Sequence, residues 1–286
     1  MRRSKLRRAI VLVALVGSIV TTLTACGGST AGPNQEPSRV PGAANLDKLT
    51  IGISFDQPGL GFKDGDTYSG FDVETAKYVA KALGVPESGI TWVQADPGNR
   101  ESLLTSGQAD LVFSTYTITE DRKQVVDFAG PYFLAHQDLL VRRNETEISG
   151  PTTLDGKDLC SVPGTTSAEN VLKFYRGRIQ LKEFPRFSDC VQALNNSEVD
   201  AVTTDDVILA GFAAEPQYQG RLKLVGQGFS DENYGVGIKK GNTALRDQVN
   251  AALQQYVADG SWAAALRMTV APSGYALPSP PTPGAA

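Results

Sequence analysis

The sequence predicts an α/β fold built as two similar lobes, each a mostly parallel sheet flanked by helices. Two observations predict it. Short apolar runs alternate with helix-period segments from residue 49 to residue 215, the pattern of parallel strands covered by helices. One unit of that pattern also occurs twice. ADLVFST at 109–115 and VDAVTTD at 199–205 each follow a polar turn, carry aspartate in second place (Asp110, Asp200), continue apolar and close on hydroxyls. In this frame Thr115 matches Asp205. Ligands of open α/β sheets bind beyond the carboxyl ends of strands. Two facing copies would therefore set 114–122 opposite 204–206 across a cleft.

The elements follow in order. LTIGISF (49–55) reads as the first strand. DVETAKYVAKALG (72–84) reads as a helix: Val73, Ala76, Ala80 and Leu83 share a face, Asp72 can cap its start and Gly84 can end it. ITWVQ (90–94) is a strand, ESLLTSG (101–107) a helix end, and ADLVFST a strand buried on both faces. The alternation resumes with strands at DLCSV (158–162), IQLKEF (179–184) and VDAVTT (199–204). Helices at TSAENVLKFY (166–175), SDCVQALNN (188–196) and DDVILAGFAAE (205–215) separate and follow them.

The ends of the chain read differently. Arg2, Arg3, Lys5, Arg7 and Arg8 precede an apolar run, Ala9 to Val20, that is too short to span a bilayer comfortably. LTAC (23–26) follows. This is the layout of a secretory signal peptide over 1–25. Its ending resembles a bacterial lipobox, which implies cleavage before Cys26 and a lipid anchor on that cysteine; an ordinary signal with an incidental cysteine is the alternative. Residues 26–45 are small, polar and proline-bearing, the composition of a flexible tether. Residues 269–286 form a similar Pro-rich, loose tail.

The formal charge of −4 becomes −9 once the five basic and no acidic residues of 1–25 are removed. So acidic a chain is a poor partner for nucleic acid, whose phosphates demand a basic face. With Cys26 assigned to the anchor, Cys160 and Cys190 remain. Outside the cytoplasm such a pair usually forms a disulfide, with two free buried thiols the alternative. His136 is the chain's one histidine, so zinc binding and Cys–His catalysis are poorly served. No metal and no cofactor are implied.

The lipobox, FDQPGLG (55–61), SGFDVETAKYVAKALG (69–84), STYTITEDR (114–122), VDFAGPYF (126–133), LCSVPGTTSA (159–168) and NYGVGIKKG (233–241) stand in a specific order. Taken together they resemble the amino-acid-binding proteins of bacterial ABC importers, solute-binding family 3. The resemblance is nearest to actinobacterial glutamate- and glutamine-binding lipoproteins, where DQPGLG and the cysteine pair also occur. It covers about 46–268. It implies a type II periplasmic-binding-protein fold: two lobes joined by two hinge strands, closing on one amino acid. Lobe 1 would hold 46–134 and 236–268, lobe 2 would hold 137–232, and the hinges would lie near 133–137 and 231–235.

The resemblance also implies roles. Arg122 would take the ligand's α-carboxylate, since a guanidinium fork matches a carboxylate with two parallel bonds. From its neighbours alone, Arg122 reads as a solvated arginine in a helical first turn. Thr117 would touch carboxylate and ammonium, and the Thr115 carbonyl would accept from the ammonium. Thr166 would lend a helix start to the carboxylate, or be a plain cap. Asp205 would face the ammonium, or cap the helix that follows. Arg100 would meet a distal carboxylate and so select glutamate; its alternative is a surface residue paired with Glu101 or Asp96. Gln57 could serve a carboxylate or an amide, and Phe55 could pack on the ligand or in the core. Ser54 stands where several binders of acidic amino acids carry a basic residue.

The expected function is capture of an L-amino acid, most readily glutamate, at the outer face of the cell membrane. The protein would act as a lipid-anchored monomer and deliver the ligand to an ABC permease and its ATPase. Glutamine or a broader set of polar amino acids is the alternative ligand, and sensing through a membrane partner the alternative role. An enzyme on the same fold would need a general acid or base in the cleft, and His136 falls at a hinge. The chain is therefore expected not to be an enzyme.

Overall fold

The computed structural model describes residues 38–40, 46–175 and 179–284. The expected signal segment 1–25, Cys26 and most of the tether lie outside the described residues.

The first lobe begins with β1 (Leu49–Ile53), which buries Leu49, Ile51 and Ile53 on one face, and a short hairpin, β2 (Phe62–Asp64) and β3 (Thr67–Ser69). Helix α1 (Phe71–Ala82) follows and buries Val73, Ala76, Val79 and Ala80 on its core side. Its N-cap is Gly70, and Asp72 sits inside the first turn with its carboxylate turned into the core, so the expected aspartate cap is not used. Next come β4 (Ile90–Gln94), α2 (Arg100–Ser106), β5 (Leu111–Phe113) and α3 (Glu120–Val125).

Strand β6 (Val126–Arg142) then leaves the first lobe and enters the second. The second lobe holds β7 (Asp158–Ser161), α4 (Thr166–Phe174), β8 (Gln180–Glu183), α5 (Phe187–Asn195), β9 (Ala201–Asp205), α6 (Asp206–Ala214) and β10 (Leu222–Leu224). Strand β11 (Asp231–Lys239) returns to the first lobe, where α7 (Thr243–Ala258) and α8 (Ser261–Thr269) cover α1.

The strand order is β4-β1-β5-β11-β6-β9-β7-β8, with β10 on the outer edge of β6. β1 pairs parallel with β4 and β5, and β7 pairs parallel with β8 and β9. β6 serves both sheets: residues 126–136 pair with β11, and residues 137–141 pair with β9. The chain therefore crosses between lobes twice, at one place.

The repeated sequence unit is a repeated structure. Asp110 accepts the Thr50 amide on its carboxylate at 2.8 Å and returns its own amide to the Thr50 carbonyl at 2.8 Å. Asp200 does the same with Asp158, at 3.0 and 2.8 Å. Each aspartate registers its strand, β5 or β9, against the first strand of its lobe. Cys160 and Cys190 form a disulfide that ties β7 to α5.

Both flanking segments make contacts that their compositions do not announce. Val40 is buried, and its amide donates to the Ala82 carbonyl at the end of α1. Tyr275 packs against the Phe133 ring at the crossing, and the Gly284 amide donates to the Gly130 carbonyl at 2.8 Å. The Pro-rich segment expected to be loose lies against the hinge instead, because its backbone and Tyr275 find partners there.

Candidate functional site

The stretch after β5 forms the first wall. Thr117 bridges to Tyr234 of β11, the Ile118 amide donates to the Asn233 carbonyl, and the Gly235 amide donates to the Tyr116 carbonyl. This pins residues 116–118 along the hinge strand. Thr115, just before it, has φ +42°, a left-handed conformation that β-branched residues avoid. The Asp72 carboxylate holds it there by accepting its amide at 3.0 Å.

Tyr116 is fully buried and carries both arginines. The Arg100 guanidinium lies 4.2 Å from its ring centre and that of Arg122 5.1 Å. A tyrosine face attracts such cations. The Tyr116 hydroxyl donates to Glu101, which also stands 3.9 Å from Arg122 Nε. Arg122 enters from α3, whose start is capped by the Thr119 hydroxyl. It donates to the Thr117 carbonyl at 2.8 Å and, across the cleft, to the Gly164 carbonyl at 3.0 Å. Arg100 donates to the Ser114 carbonyl at 3.0 Å, to Thr115 at 3.4 Å and to the same Gly164 carbonyl at 3.2 Å. It is 3 % exposed, so it is no surface residue, and Glu101 faces Arg122 rather than Arg100. Burial, and then the charge of Arg122, lower the Arg100 guanidinium to about 10.

The second lobe supplies the facing wall. Thr165, not Thr166, caps α4 by accepting the Ala168 amide, which leaves the Thr166 hydroxyl for other work. Asp205 ends β9 and is buried. It makes no cap bond to α6 and accepts the Tyr234 hydroxyl. Burial first, and then the charge of Glu232, raise its carboxyl well above the ordinary range.

These walls close on a cavity of about 10 Å³, room for roughly one water, so an amino acid enters only as the walls part. Gln57, Arg100, Thr115, Thr117, Arg122, Thr166 and Asp205 all line it, so the structure places these seven residues around one cavity. Phe187, Ile208 and Pro97 add apolar surface. Gln57 and Thr115 bond to each other within 3.2 Å. Phe55 turns away and packs on Tyr68, and His136 lies outside this cavity. Among the described residues, the buried side-chain polar atoms without a partner in the protein are Arg100 Nε and Ser167 Oγ. Both belong to residues lining the cavity. Native proteins rarely leave such atoms unpaired.

Comparison with known proteins decides the family. The model of bacterial extracellular solute-binding proteins, family 3, matches residues 49–268. This chain is a family 3 solute-binding protein. It is similar to the glutamate-binding protein GluB of Corynebacterium glutamicum, 40 % identical over 84 % of this chain and 83 % of the relative. It is also similar to the ABC transporter glutamine-binding protein GlnH of Bacillus subtilis, 33 % identical over 89 % and 93 %. Among solved structures, an ancestral arginine-binding protein bound to glutamine has a TM-score of 0.72 and 34 % identity, over 79 % of this chain and 99 % of that one. The family 3 protein thus shares the two-lobe type II fold of these neighbours, and the relatives are binding proteins rather than enzymes.

Three residues of this family 3 protein escaped the sequence reading. Tyr116 carries the arginines but stands among hydroxyls that mark only the end of a strand. Ser167 lines the cavity one place beyond Thr166. Glu232, 2 % exposed, accepts the hydroxyls of Thr117 and Thr166, each at 2.8 Å. Its neighbours Ser230, Asp231 and Asn233 give the segment the look of a solvated turn.

Proposed function

We propose that this family 3 protein captures an α-amino acid outside the cytoplasm, closes its lobes on it and delivers it to an ABC permease, with Cys26 as its lipid anchor. The observation that carries the reading is the charge layout of one small cavity. Two buried guanidiniums share Tyr116 on one side, and the buried Asp205 carboxylate faces the cavity from the other lobe. A zwitterion needs both signs, because a buried charge without a partner is costly.

Glutamate is the ligand the arginines favour. Arg122 takes the α-carboxylate, Arg100 the distal carboxylate and Asp205 the ammonium. Arg100 keeps Nε unspent for that purpose, and the similarity to GluB supports the same choice. Glutamine is the second reading. Glu232 adds a second buried carboxylate beside Asp205, and Glu101 already stands by Arg122, so the two arginines are matched by carboxylates before any ligand enters; the similarity to GlnH points the same way.

Titration calorimetry with glutamate, glutamine, aspartate and asparagine tests both. Glutamate should bind most tightly, and Arg100→Gln should erase its advantage over glutamine, worth roughly 1.5–3 kcal/mol for one charge-assisted bond. Glutamine binding more tightly to the unaltered protein would refute the glutamate assignment.

A further inference from the structure

Glu232 stands at the start of β11, where that strand crosses between the lobes, paired with Ala135 of β6. A carboxylate accepts hydrogen bonds and has none to give, so each hydroxyl bonded to it is the donor. Three hydroxyls are. Thr117 Oγ1 and Thr166 Oγ1 each lie 2.8 Å from Oε2, and Ser230 Oγ lies 2.6 Å from Oε1. A hydroxyl has one proton and two lone pairs. Thr117 and Thr166 both line the cavity, one from each lobe. With their protons committed to Glu232, they present only lone pairs to whatever enters.

We infer that Glu232 is a positioning residue that sets the polarity of these two hydroxyls, making both walls acceptors and so selecting a ligand that carries an ammonium. This rests on the amino-acid reading above and deepens it. It divides the cavity chemically. The arginines serve the carboxylates, while Thr117 and Thr166 join Asp205 in serving the ammonium. The Thr166 hydroxyl is then no donor to the α-carboxylate, the role its helix-start position suggests. The device also needs both lobes in place, since one carboxylate holds a hydroxyl from each.

Glu232→Gln tests the inference. The amide keeps the shape, and with its nitrogen in the place of Oε2, which both threonines meet, it donates to them and frees their protons to point into the cavity. Calorimetry on the purified protein would compare L-glutamate with glutarate, and L-glutamine with glutaric acid monoamide, pairs that differ by the ammonium. The preference for the amino acid over its des-amino counterpart should fall by about tenfold, the scale of one charge-assisted hydrogen bond. A purely structural role would weaken both members of a pair alike. Equal weakening would overturn the inference, and so would an unchanged preference in both Glu232→Gln and Thr117→Val, since an amide that donates to Ser230 leaves the threonines as they were. Should Glu232→Gln fail to fold, Thr117→Val removes one acceptor without touching Glu232, and the same fall in preference is expected. If the unaltered protein bound no amino acid at all, the amino-acid reading itself would be refuted, and this inference with it.

Discussion

The Asp72 carboxylate in α1 accepts the Thr115 amide, in the wall of the cavity, at 3.0 Å. Its other oxygen accepts the Tyr132 hydroxyl at 2.8 Å. One buried acid thus couples the first helix, the hinge strand and a residue held at positive φ. Thr115 in that conformation costs about 1–3 kcal/mol, and the Asp72 bond is one of the contacts that maintain it.

Burial pushes the Asp72 carboxyl up to about 6, against an ordinary 3.8. Between those values the folded chain holds a proton that the unfolded chain has lost. Stability from this group is therefore complete below pH 3.8 and declines as pH rises to about 6, by about 3 kcal/mol. Asp72→Asn keeps an acceptor for Thr115 and can donate to Tyr132, and it cannot ionise. Urea unfolding at several pH values should show a flatter profile for the variant across this window. Parallel profiles would show that Asp72 does not titrate there.

Asp205 predicts a pH dependence of binding rather than of folding. Its carboxyl is raised well above the ordinary range, by burial and then by Glu232. A ligand ammonium pairs with the ionised form, so binding expels a proton and affinity climbs as pH rises through the raised pKa. Calorimetry in buffers of different ionisation enthalpy would read the released proton directly. Asp205→Asn should bind more weakly, by about tenfold or more for one charged partner, and release none. Proton uptake by the unaltered protein would contradict this account.

Much of the molecule was legible because local rules and global fold agree. β5 and β9 declare themselves by their apolar runs, and Asp110 and Asp200 mark the same bonding pattern in each. Helix α1 follows its periodicity. The hinge was harder. β6 is a 17-residue strand, yet Gly130 and Pro131 break its pattern, and it changes partners between His136 and Gln137. No local signal records which sheet a strand joins. Glu232 was illegible for a related reason. Only the crossing of β11 buries it, whereas its sequence neighbours are polar. Asp72 looked like a cap because capping is a local rule, and Tyr132 and Thr115, which claim it, are distant in sequence.

Gly211 predicts a separation of stability from closure. It lies within α6, where glycine costs roughly 0.5–1 kcal/mol relative to alanine. A side chain there would overlap the Pro58 carbonyl oxygen of the opposite lobe. Gly211→Ala should therefore stabilise α6 yet disfavour the closed state. If closure fell to a tenth of its population, apparent affinity would fall about tenfold. Small-angle scattering with saturating ligand should show a larger radius than for the unaltered protein. Unaltered affinity would mean that the lobes bind without meeting at this point.

The C-terminal segment gives the last prediction. The family match ends at residue 268, yet the chain beyond it touches both lobes. The Tyr275 side chain lies beside Asp206 at the start of α6, in the second lobe. The Pro283 carbonyl accepts from Gln254 of α7, and the Gly284 amide bonds Gly130, both in the first. Tyr275→Phe removes the hydroxyl alone and should cost about 1 kcal/mol. Tyr275→Ala also removes the ring beside Phe133 and should cost about 2 kcal/mol. Thermal unfolding of the two variants and of a chain ending at Gly274 would rank them. If the shortened chain melted with the full one, the segment would contribute nothing to the fold. If it melted earlier and also bound its ligand more weakly, the segment would be acting on the hinge as well as on stability, because its contacts span the crossing.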